Sequence, residues 1–96
     1  MKLVYHEKVQ SDVNAIIRYY YDISDSLGDD FWQELTRVIN IIREHPTRFH
    51  FEKPPLRRAN LETFPHCIGY KVFLDHVKIM VVKHKSRNPM YAKNRF

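Results

Sequence analysis

Glycine is scarce: Gly28 and Gly69 are the only two in 96 residues. No Gly-rich loop that cradles a phosphate on backbone N–H groups can be built from them. Cysteine is scarcer still. Cys67 stands alone, which excludes an internal disulfide and a cysteine-built zinc site and suits a reducing compartment. No stretch nears the roughly 18 uninterrupted apolar residues of a membrane span. Residues 1–7 carry no long apolar run before a small-residue cleavage site, so no secretory leader is expected. The six histidines, at positions 6, 45, 50, 66, 76 and 84, never fall at the i, i+4 spacing of a zincin, and no metal site is expected. There is no Gly-x-Ser-x-Gly elbow. Cys67, just before an apolar strand, reads as a small buried hydrophobe and not as a nucleophile. The expectation is one cytoplasmic domain over residues 1–96, with no cofactor and no membrane partner.

What is present is a core. The apolar share is 44%, with six Phe, six Tyr and one Trp, too much large apolar surface for a disordered chain and enough for one domain. Charge is divided unevenly. Residues 1–47 hold five Lys/Arg against eight Asp/Glu, and residues 48–96 hold eleven against three. The second half would draw a polyanion or an acidic partner, unless its charge only solvates the surface.

The apolar pattern predicts an α+β chain in the order β-α-α-β-β-β. Residues 2–5 read as a short strand. Val9, Val13, Ile16, Ile17 and Tyr20 form one face of a helix over about residues 8–23. Residues 22–30 read as a turn, with Ser26 and Asp29 as a capping pair. Phe31, Leu35, Val38, Ile39 and Ile42 mark a second helix over about residues 28–45, ended by Pro46. Residues 47–56, with Pro54-Pro55, read as a connector. The period then changes. Strands are expected at residues 57–62, along Ile68, Tyr70, Val72 and Leu74, and along Val77 to Val82, with a turn at Asp75-His76. The helix pair should pack on this antiparallel sheet, strand 2–5 joining one edge. The expected core is Val13, Ile16, Tyr20, Phe31, Leu35, Val38, Ile42, Ile68, Tyr70, Ile79 and Val81.

One chemistry remains open. Cutting an RNA backbone needs a base for the 2′-OH, an acid for the leaving oxygen and cations for the developing charge. His84, Lys85, Arg87 and Tyr91 follow the last strand within eight residues, and Arg57 and Arg58 begin an earlier one. A basic tail is also a common solvated feature.

Two motifs decide more. Phe64-Pro65-His66-Cys67-Ile68-Gly69-Tyr70, and His84-Lys85-Ser86-Arg87-Asn88-Pro89 about fifteen residues on, follow an Arg57-Arg58 strand. This order, with Ile16-Ile17-Arg18-Tyr19-Tyr20 in the first helix, resembles toxins of the RelE/ParE superfamily, the plasmid-stabilisation type, over nearly the whole chain. The resemblance implies a RelE/ParE-like fold and growth arrest relieved by a cognate antitoxin that lays an acidic, amphipathic segment on the toxin. Operator DNA would be reached only through that antitoxin. RelE-like members cut mRNA on the ribosome; ParE-like members bind DNA gyrase and block replication. Nuclease relatives commonly carry an arginine where Cys67 stands, and Asn60 replaces one of two basic residues on the preceding strand, so the ParE-like mode is favoured. The alternatives are an mRNA interferase using Arg58, His84, Lys85, Arg87 and Tyr91, and an inactive relative that only holds the antitoxin. Arg57, Arg58, His84, Lys85, Arg87 and Tyr91 are the candidate partner-binding residues.

Overall fold

The computed structural model describes residues 1–88 and 90–96, so Pro89 of the His-x-x-Arg-x-Pro ending lies outside the described residues. Its elements are β1 (Lys2–Tyr5), α1 (Val9–Ile23), α2 (Asp25–Glu44), β2 (Phe51–Lys53), β3 (Leu56–Asn60), β4 (His66–Val72), β5 (His76–His84) and a 3-10 turn at Lys93–Arg95. Two helices pack on a five-stranded mixed sheet of order β1-β5-β4-β3-β2.

The helix pair is tighter than the sequence predicts. The nine-residue turn expected at 22–30 shrinks to one residue, Ser24, held extended at φ −164° and ψ 151°. Its N–H closes α1 on the Tyr20 carbonyl (3.1 Å), and its Oγ accepts from the Leu27 N–H (3.0 Å), capping α2. Ser24 therefore caps α2, and not the Ser26–Asp29 pair. Gly28 is no turn glycine either. It lies within α2 beneath the Tyr21 ring, which a Cβ there would strike, while the Tyr21 hydroxyl donates to Asp29 (2.5 Å).

Strands β3 to β5 form the expected antiparallel meander, and β2 extends it by one unexpected strand. β1 lies at the expected edge, parallel to β5 from Lys2↔His76 to Tyr5↔Ile79, because the helix pair carries the chain back across the sheet. Residues 47–56 are more than a connector. Phe51–Lys53 pairs with β3, and Pro54-Pro55 turns between the two strands. An edge strand tolerates this, since its outer N–H groups have no ladder to feed. β4 stops at Val72, and Leu74, expected within the strand, is fully exposed in the turn.

The helix-facing core joins Phe31, Leu35, Val38 and Ile42 to Ala59, Ile68, Tyr70, Val77, Ile79 and Val82. Tyr20 is buried with them, while Val13 and Ile16 are half-buried at the margin. Val81 is buried too, but on the other face. The register slips between Gly69 and Tyr70, and Met80 has no partner on β4. This bulge turns Ile79 and Val82 toward the helices and Val81 away from them. A Cβ on Gly69 would stand 2.8 Å from Val81 Cγ1, so glycine is required by the close approach.

Candidate functional site

Alternation along the strands sorts the charged residues onto two faces. Arg58 lies beside Gly69 and Val81, and Asn60 beside Cys67 and Lys83, all on the face away from the helices. Glu52 of β2 serves both cations. Its Oε1 accepts from Arg58 Nη1 at 2.9 Å, and its Oε2 lies 3.6 Å from Lys83 Nζ. Arg58 Nε donates to Asn60 Oδ1 (2.9 Å). Lys83 is buried, and an ammonium in that position needs a counter-charge. Cys67 is fully buried, and burial pushes its thiol above the ordinary range despite Arg58 and Lys83 nearby. Where the resemblance implies an arginine, this chain holds a buried thiol, and the two neighbouring cations share one carboxylate.

His84 points to the opposite face. It pairs with His66, and their rings stand 5.3 Å apart between centroids. His66 is packed edge-on against Tyr20 (5.8 Å) and Phe31 (5.4 Å), and its Nδ1 has no hydrogen-bond partner among the described residues. Burial, then the proximity of His84 and Lys85, lowers its pKa to about 4. His84 Nδ1 accepts from the Ser86 N–H (3.0 Å). Lys85 Nζ donates to the Leu61 carbonyl (3.0 Å). The Arg87 guanidinium stacks over Tyr91, 4.9 Å from its ring centre. Arg57 donates to the Phe49 carbonyl (2.8 Å) and lies 4.0 Å from the centre of the Phe51 ring. Of the six candidate residues, then, Arg87 and Tyr91 touch each other. Arg58 and His84 are separated by the thickness of the sheet, and Arg57 and Lys85 are tied to backbone carbonyls.

Sequence reasoning missed three residues. Glu52 sat in a supposed connector. Lys83 closed an apolar strand, and its signal was available: a charge at a central-strand position must be paired. Asp12 gave no signal of its own within the first helical segment. It accepts the forked Arg95 guanidinium at 2.6 and 2.9 Å, and that hydrogen bonding raises the Arg95 pKa.

A groove of about 790 Å³ runs between β1, α1 and α2. Val13, Ile17 and Ile39 are among its apolar lining, and half-exposed Tyr5 and Trp32 stand along it, with Arg43 as its cation. Apolar surface at a helix pair, marked by two exposed aromatics, has the character of a protein-docking surface.

No family model matches this sequence, and no curated protein does. Among solved structures, the chain is similar to one from the "Chromosomal ParDE TA system from P. aeruginosa". The TM-score is 0.76 at 19% identity, over 88% of this chain and 95% of that one. The two share a fold over those lengths.

Proposed function

We propose that this chain is the toxin of a type II toxin–antitoxin pair, acting as ParE-like toxins do, by binding DNA gyrase and blocking replication. The observation that carries the reading is the fold shared over 95% of a chain from a ParDE toxin–antitoxin system. Two features of the site favour binding over RNA cleavage. The central-strand position of the nuclease arginine is a buried thiol, and removing one preorganised cation from such a site costs on the order of 100- to 1,000-fold in rate. The nearest substitute, Arg58, is held by Glu52, and the sheet lies between it and the one candidate acid–base imidazole, His84.

A cognate antitoxin would dock on the helix pair. The apolar side of an amphipathic segment would enter the α1–α2 groove, with acidic side chains meeting the basic C-terminal half. Trp32 and Tyr5 are the aromatic anchors there, the residue types that dominate such interfaces.

Expression in cells lacking the antitoxin, scored for SOS induction and filamentation against loss of mRNA, tests the reading. Purified protein should inhibit supercoiling by gyrase and leave mRNA intact on translating ribosomes. Codon-dependent cutting that disappears in Arg87→Ala or Tyr91→Phe would replace this reading with the mRNA interferase. Normal growth would leave only the antitoxin-binding role.

A further inference from the structure

The free edge of β5 is closed by a pair of side chains where a strand would otherwise lie. β1 accompanies β5 only to Ile79, whose carbonyl accepts from the His6 N–H at 2.8 Å. Past that point, no strand among the described residues meets the Met80 carbonyl and the Val82 N–H. A neighbouring strand would offer one an amide and the other a carbonyl. Arg95 supplies the donor, Nη1 to Met80 O at 3.2 Å, and Asp12 the acceptor, from Val82 N at 3.1 Å. The two are clamped to each other, with side chains only 8% and 5% exposed. Phe96 extends the closure onto the sheet face, its ring centre 5.7 Å from Lys71 Nζ. The strand behind this closure runs Ile79-Met80-Val81-Val82 without a charge. Such a run, with a bare edge, is a template for edge-to-edge pairing. Antiparallel pairing of two identical edges is self-complementary about a twofold axis, so a second copy supplies what the first lacks.

We propose that the Asp12–Arg95 pair is an edge guard: it straps the C-terminus across β5 and prevents that strand from pairing with β5 of a second copy.

Released from the strap, the chain should dimerise through Met80–Val82. The test compares wild type, Asp12→Ala/Arg95→Ala and Arg95→Lys by light scattering from micromolar to millimolar concentration, with amide hydrogen exchange. The double alanine variant removes both caps and leaves no unpaired buried charge. Wild type should be monomeric throughout. In the double variant a dimer should grow with concentration. In dilute solution its Val82 amide should exchange about 10- to 100-fold faster, the loss of one charge-assisted hydrogen bond. Ile68 and Tyr70 amides should stay protected, and Val82 should regain protection in the dimer. Arg95→Lys keeps the charge but loses the fork, and should dimerise at the top of the range; it carries the test if the double variant does not fold. A native double variant that stays monomeric, or one in which Val82 and the core amides lose protection together, would overturn the proposal. So would an Arg95→Lys protein that loosens at Val82 and never dimerises.

Discussion

Acid should destabilise this fold through His66, and the size of the effect follows from its surroundings. The ring sits among Tyr20, Phe31 and His84, with Nδ1 unpartnered among the described residues and a pKa lowered to about 4 from an ordinary 6.5. The folded state refuses a proton that the unfolded chain accepts. Stability is therefore full above the unfolded value, falls as pH drops below about 6.5, and levels off below about 4. The linkage relation gives a loss of up to about 2 kcal/mol by pH 5 and about 3 kcal/mol by pH 4. For a domain of this length, 2 kcal/mol corresponds to roughly 8–16 °C in melting temperature. Other groups titrate in the same range, so the informative quantity is a difference. His66→Phe keeps an aromatic ring in the cluster and removes the proton site. Urea unfolding of both proteins at pH 7, 5 and 4 should show the variant losing about 2–3 kcal/mol less than wild type between pH 7 and 4. Equal losses in the two proteins would refute the reasoning, because they would mean that His66 takes up its proton without opening the cluster.

Leu35→Ala or Ile79→Ala should cost about 2–5 kcal/mol in chemical denaturation, since both side chains are fully enclosed by the helix–sheet core. Gly28→Ala should destabilise by about 1–3 kcal/mol although alanine favours helix, because its methyl meets the Tyr21 ring; pairing it with Tyr21→Ala should recover part of the loss. Trp32→Ala should weaken antitoxin binding at least about 10-fold by calorimetry with a native circular dichroism spectrum. Charge reversal at Arg58 should lower antitoxin affinity and its salt dependence less than reversal at Arg87, because Arg58 already serves Glu52.

The sequence alone determined both helices, β1 and the last three strands, though not β2 or the single-residue link at Ser24. Apolar spacing of 3 and 4 along Val9 to Tyr20 and Phe31 to Ile42 is local information, and so is the change to alternation after Pro55. Both survive into the structure because each stripe has only one way to leave water. Local chemistry also set the end of α2 near Pro46. What depended on register was not legible. One unpaired residue at Met80 puts Val81 on the opposite face from Ile79 and Val82, and no periodicity in the strand announces a bulge. The same register decides the candidate site. His84 and Lys83 are neighbours in sequence but lie on opposite faces, so a tail that reads as one basic cluster is divided by the sheet. Pairings across long separations were equally hidden: Glu52 with Lys83, and Asp12 with Arg95 at opposite ends of the chain. A carboxylate in isolation reads as a solvated charge. Only the tertiary fold, by removing water from both partners, makes that charge require its counterpart and turns the last residues of the chain into the closure of a strand edge.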